Sequence, residues 1–239
     1  MNKQTFLTLL ATFALLFSFT FSCHAKGKDK AKHVVFIGLD GWGAYSLPKA
    51  DMPNVKKLME DGAYTLKKRS ALPSSSAINW ASMFMGAGPE LHGYTEWGSK
   101  TPELPSRVLN KNGIFPTVFQ LLRDARPEAE IGCLYEWEGI KYLVDTLSLS
   151  YHYHVADCNK TPKELGNMAS SYIKEKHPAL VAICYDGPDH TGHTAGHDTP
   201  EYYEKLKELD MYVGQIVQAV KDAGMLDDTI FILTSDHGG

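Results

Sequence analysis

The stretch ALPSSSAINWASMFMGAGPELHGY, Ala71 to Tyr94, decides how this chain is read. It opens as a short strand-like run, pauses at Pro73, offers three serines, and turns into an apolar, small-residue helix over Ala77 to Met85 that stops at Gly86. A hydroxyl at such a strand-to-helix turn is held on rigid elements at one edge of a sheet. The first turn of the helix carries backbone N–H groups without intrahelical partners, which favour an anion such as phosphate. Serine is also an ordinary N-cap, so the turn alone fits capping as well as chemistry.

The segments on either side give the architecture. HVVFIGL (His33–Leu39), LVAICY (Leu180–Tyr185) and TIFIL (Thr229–Leu233) are continuous apolar runs of the kind covered on both faces in a parallel sheet, and EIGCL (Glu130–Leu134) reads as a further strand. Between them lie helical patterns. One starts at Pro53 and stops at Gly62, a second covers Thr117 to Asp124, and a third follows Thr161-Pro162-Lys163-Glu164, read as a capping box, to about Glu175. The strongest follows Thr199-Pro200-Glu201, with Leu206, Leu209, Val213, Ile216, Val217 and Val220 on one stripe. Residues 98–113 are polar and loop-like, and residues 135–153 are aromatic-rich and suit a cap or rim over a pocket. This alternation predicts an α/β fold, a mainly parallel sheet sandwiched by helices on both faces.

At 239 residues the chain can bury one large core, and a net charge of −4 without a basic block gives no support for a nucleic-acid-binding surface. Residues 1–25 read as a secretory signal peptide: Lys3, an unbroken apolar and hydroxyl run over Phe6 to Phe21, then Cys23-His24-Ala25 as the cleavage region. A membrane anchor and lipid attachment at Cys23 are the competing readings. The expectation is an exported protein, periplasmic or secreted, with residues 26–239 as the catalytic domain and no transmembrane span after signal removal. Cys133, Cys158 and Cys184 then remain. An odd number leaves at least one thiol unpaired; Cys133 and Cys184 read as buried hydrophobes, and a Cys133–Cys158 pair stays open.

The buried-type strands end in chemistry: Asp40 after the first, Asp189 and His193 after another, Asp236 and His237 after the last. Ligands of open α/β sheets bind beyond the carboxyl ends of the strands, so these residues should meet at one edge. Carboxylate oxygen mixed with imidazole nitrogen suits divalent metal, zinc before manganese or iron. Singly, each group fits a turn or a solvated polar pair. Together, and with the serine turn at the same edge, they point to two divalent metal ions and a hydroxyl nucleophile.

Asp40 at its strand end, PSSSAIN (Pro73–Asn79), GPELHGY (Gly88–Tyr94), DHTGH (Asp189–His193) and SDHGG (Ser235–Gly239) together resemble the alkaline phosphatase superfamily, in its type I phosphodiesterase/nucleotide pyrophosphatase branch. The resemblance runs from His33 to Gly239. It implies Ser76 as a metal-bound, metal-activated nucleophile and Asn79 as hydrogen-bonding a phosphoryl oxygen. It further implies Asp40, Asp236 and His237 around one metal and Asp189 and His193 on the other. Asp186, His190 and His197 are neighbours, His92 is structural, and Trp80 with the aromatics of 135–153 lines a leaving-group pocket or packs the core. The implied substrate is a small phosphate ester of nucleotide or diester type.

In that family the second metal also takes a histidine downstream of Asp236-His237-Gly238, so the sequence reads as partial at its C-terminus. No Cys-x-Pro-x-Arg sequence supports a sulfatase. A phosphomonoesterase, and an inactive binding protein with an incomplete metal site, stand as the alternatives.

Overall fold

The computed structural model describes residues 31–156 and 161–239; the signal-peptide reading of residues 1–25 and Cys158 lie outside the described residues. The sheet has five strands, all parallel: β1 (His33–Leu39), β2 (Ile131–Tyr135), β3 (Tyr151–His154), β4 (Leu180–Tyr185) and β5 (Thr229–Thr234), in the order β3-β2-β4-β1-β5. The helices are α1 (Pro53–Asp61), α2 (Ser76–Met85), α3 (Pro89–His92), α4 (Val118–Ala125), α5 (Lys163–Lys176), α6 (Gly187–Ala195) and α7 (Pro200–Asp222).

Two apolar clusters, each drawing on the strands, identify the two layers. One gathers Val35, Ile37, Val181 and Ile183 with α5 and α7, through Leu165, Ile173, Leu206 and Val213. The other gathers Trp80, Phe84 and Phe119 from α2 and α4 with Cys133, Ala182 and Cys184. The period-two alternation of side chains along each strand divides β4 between them. The expected sandwich is therefore present, and Cys133 and Cys184 are free and buried as read.

Gly38 explains how tightly α2 lies on β1. A Cβ there would stand 2.2 Å from the Trp80 ring, so only glycine lets the indole rest on the strand. Trp80 in turn stacks on Phe84 at 5.7 Å between centroids.

Four expectations change. The approach to Ser76 is not a strand: residues 71–75 are irregular, and the helix starts at Ser76 itself. Part of the aromatic segment 135–153 is a strand, β3, which pairs with β2 from Gly132 opposite Tyr151 to Tyr135 opposite His154. The start of α5 is shifted from the expected capping box: Pro162, not Thr161, takes the N-cap position, without a side-chain cap of its own. β5 is an edge strand with Ile230 half-exposed and Ile232 nearly so, because among the described residues it pairs only with β1. A continuous apolar run cannot distinguish an edge from a centre.

α1 shows a device used again at the site. Its N-cap residue, Met52, offers no side-chain cap. Asp210, buried on α7, supplies the missing carboxylate instead, accepting from Val55 N at 2.8 Å and Asn54 N at 3.0 Å.

Candidate active site

The carboxyl ends of β4, β1 and β5 are neighbours, and backbone bonds continue across them. Asp40 N donates to Tyr185 O at 2.8 Å, and Glu136 N to Cys184 O at 3.1 Å. This brings Asp40, Asp189, Asp236 and His237 to one edge, with Ser76 delivered from the start of α2. Gly41 makes the approach possible: its φ is +63°, and a Cβ there would meet Asp189 atoms at 2.6 to 2.8 Å. Its N–H donates to Asp236 Oδ1 at 3.2 Å, which ties the end of β1 to the end of β5.

The polar atoms converge on His237 Nε2. Ser76 Oγ lies 3.2 Å from it, Asp40 Oδ1 3.3 Å and Asp236 Oδ2 3.4 Å. Nδ1 of the same ring is 2.9 Å from Gly238 O and must carry the proton to donate there. Nε2 of the neutral ring then presents a lone pair to two carboxylate oxygens, an arrangement that only a proton or a metal cation between them reconciles. Asp236 Oδ2 is buried with no hydrogen-bond partner among the described residues, as a ligand atom is before it binds. Asp40, Asp189 and His237 each offer an atom within 4.8 Å of the others, a spacing that could hold a metal ion. The donor set, two carboxylates and an imidazole, fits a divalent cation such as zinc. The groups expected around two separate metals thus adjoin.

Electrostatics say the same. Burial, then the charge of Asp236, pushes the Asp40 carboxyl well above the ordinary carboxylate range. Burial also raises Asp236, and burial followed by Asp189 raises Asp186. Crowded acids at a desolvated strand edge favour protons or metal over bare charge. The Trp80 indole N–H donates to Asp40 Oδ2 at 2.8 Å, leaving Oδ1 towards Ser76 and His237. Trp80→Phe is expected to cost about 1–3 kcal/mol, because a buried carboxylate oxygen loses its donor. Urea unfolding of the metal-free protein measures this, and no change in midpoint would contradict it.

The remaining expected residues divide. DHTGH lies on α6, so Asp189 and His193 sit one turn apart and His193 Nε2 reaches Asp189 Oδ2 at 3.2 Å. Asn79 is buried, and its amide is spent on the turn. Oδ1 accepts from Ala71 N at 2.6 Å, and Nδ2 donates to Ser75 O at 3.1 Å. Its geometry is that of a clamp on the approach to Ser76. Asn79→Ala is expected to lower stability by about 1–3 kcal/mol through the unpaired Ala71 N–H, read as a lower urea midpoint.

His92 is fully buried. Its Nδ1 accepts from Tyr94 N at 3.1 Å and its Nε2 faces Ser82 Oγ at 3.0 Å, a structural tie between α2 and α3. Burial lowers its pKa. Trp80 and Tyr135 are buried in the core, which leaves neither as a pocket wall.

Three contributors have no local sequence signal. Lys68 donates to Asp236 O at 3.3 Å and also to Ser235 O. The carbonyl of Trp97 accepts from Ala77 N at 3.1 Å, setting a residue that is 72% exposed beside the serine turn. Glu136 reaches the site from β2. A groove of about 1020 Å3 opens from Asp236 and His237 between α1, Lys68 and the exposed face of β5.

The model of the family described as type I phosphodiesterase/nucleotide pyrophosphatase matches residues 34–239. Mouse (Mus musculus) bis(5'-adenosyl)-triphosphatase enpp4 is 26% identical over 221 residues, covering 88% of this chain and 48% of the relative. Mouse ectonucleotide pyrophosphatase/phosphodiesterase family member 1 is 24% identical over 214 residues, covering 85% and 24% respectively. The chain thus spans about half or less of the length of these relatives. Among solved structures, murine ectonucleotide pyrophosphatase/phosphodiesterase 5, an inactive variant in complex with AMP, superposes with a TM-score of 0.66 at 19% identity. The match covers 87% of this chain and 57% of that one, and the likeness is one of fold. The family match over nearly all of the described residues, on a fold shared with a solved relative, establishes that this chain belongs to the type I phosphodiesterase/nucleotide pyrophosphatase family.

Proposed function

We propose that this chain is the catalytic portion of an exported, metal-dependent phosphoric ester hydrolase in which Ser76 is the nucleophile. The observation that carries the reading is the meeting of Ser76 Oγ, His237 Nε2 and Asp40 Oδ1 within 3.5 Å at the strand ends. A serine hydroxyl is a weak nucleophile unless its proton is taken or its oxygen is made more acidic. Asp40, Asp189, Asp236, His193 and His237 would hold two divalent metal ions, zinc first, which when bound supply Lewis acidity for the serine oxygen and neutralise charge on the phosphoryl group.

The chain's own residues do the rest. Asp40, anchored by Trp80, keeps one oxygen aimed at Ser76. Asn79 fixes the backbone that presents the hydroxyl. Ser76 Oγ attacks phosphorus, the alcohol departs from the opposite side, and water later cleaves the phosphoserine. Nucleotide-type diesters are the favoured substrates, in keeping with the mouse triphosphatase and pyrophosphatase/phosphodiesterase relatives. No Arg or Lys stands within the serine turn, residues 73–79, to meet the extra charge of a monoester.

Initial rates on bis-p-nitrophenyl phosphate and p-nitrophenyl phosphate with zinc, side by side, test the preference. Faster diester turnover is expected. Faster monoester turnover would overturn the diester reading, and no turnover of either would favour the binding-protein alternative.

A further inference from the structure

α6 carries both Asp189 and His193, yet nothing in its own sequence caps it. Asp186, the N-cap residue, makes no side-chain cap bond and has φ −94° and ψ −16°. The cap comes from another strand. Glu136 follows β2, fifty residues away, and its Oε2 accepts from Asp186 N at 2.7 Å.

The Asp186 N–H stands at the positive end of the α6 dipole, where a carboxylate is most favourable. Glu136 is itself held from the backbone: its N–H is bound by Cys184 O at 3.1 Å and its carbonyl lies 2.9 Å from His154 Nε2. The second oxygen, Oε1, is buried without a hydrogen-bond partner among the described residues. A surface carboxylate would keep both oxygens wet, so burying this one comes at a cost that the cap offsets. Asp210 caps α1 in the same way from α7, and α1 bears none of the site residues.

We infer that Glu136 is a positioning residue: by capping α6 from the end of β2 it fixes where Asp189 and His193 stand relative to Asp40 and His237. The inference rests on the metal-site reading above. Outer partners that orient ligands change metal affinity by roughly 10–100-fold when removed. Burial raises the Glu136 carboxyl to about 7. Oε2 accepts a hydrogen bond whether or not the group is ionised, so glutamine, which mimics the neutral carboxyl, should preserve the cap.

The test is zinc binding to the full chain, by competition with a chromophoric chelator, with melting of the metal-free protein measured in parallel. Glu136→Ala is expected to weaken zinc binding by roughly tenfold or more, and Glu136→Gln to stay within about threefold of wild type. Asp210→Ala, the structural control, should lower the melting temperature by roughly 3 °C or more while leaving zinc affinity unchanged. In an Asp189→Ala, His193→Ala background, Glu136→Ala should have no further effect on zinc, because both ligands it positions are gone.

Unchanged zinc affinity in Glu136→Ala would overturn this inference alone. So would a loss in Glu136→Gln equal to that in Glu136→Ala, or a loss in Asp210→Ala as large as in Glu136→Ala. A wild-type chain that takes up no zinc would overturn the metal site and this inference together.

Discussion

Ser76→Ala is expected to lower diester turnover by roughly a thousandfold or more, the scale on which loss of a covalent nucleophile acts. The same change should leave folding almost untouched. Among the described residues Ser76 Oγ is in hydrogen-bond reach only of His237 Nε2 and, at the 3.5 Å limit, Asp40 Oδ1. The helix is held there by other groups: Asn79 clamps the turn, and Ala77 N–H is bound by the Trp97 carbonyl. The unfolding free energy should therefore shift by no more than about 0.5 kcal/mol. A large fall in kcat with unchanged stability and unchanged zinc uptake separates a nucleophile from a serine needed to hold the metal or the fold. Retention of turnover would remove the covalent mechanism.

Removing metal is expected to have the second-largest effect, and its sign depends on pH. Asp40, Asp236 and Asp186 have folded-state pKa values raised by burial, and Glu136 is raised from 4.5 to about 7. A carboxyl whose pKa is higher folded than unfolded stabilises the fold fully below its unfolded value and loses that contribution as pH rises through the folded value. For Glu136 the window runs from about 4.5 to about 7 and is worth on the order of 3 kcal/mol.

The chelator-treated protein should thus melt progressively lower between pH 5 and 8. Zinc displaces the protons of its ligands Asp40 and Asp236, so the melting-temperature gain on adding it should grow as pH rises through their raised values. At a hundredfold excess over its dissociation constant it contributes about 2.7 kcal/mol. Calorimetry with and without zinc across this range checks both slopes. A metal-free protein that becomes more stable towards pH 8, or a zinc gain that shrinks, would contradict the account.

How much of this could be read from the sequence depends on the range of the interaction. β1, β4 and the helices α1, α4 and α7 follow from periodicity and from Pro, Thr and Gly at their ends. Local pattern also leads to the acids and histidines at the strand ends, and topology then brings them together. Four features depend on tertiary contact. β3 is short and half-buried, and its pairing with β2 has no local mark. β5 has the composition of a buried strand and an edge position. The Asn79 amide is turned inward by the irregular approach of residues 71–75, which a strand-like reading could not show. The caps supplied by Glu136 and Asp210 join residues 50 and about 156 positions apart, and from sequence each is one acid among 28.

The measurement that bears most directly on the central claim is peptide mapping by mass spectrometry of the zinc-loaded protein, acid-quenched during turnover of bis-p-nitrophenyl phosphate. The account predicts a phosphoryl adduct on the peptide containing Ser76, absent from Ser76→Ala. Turnover with the adduct on another residue, or turnover that persists in Ser76→Ala, would contradict it.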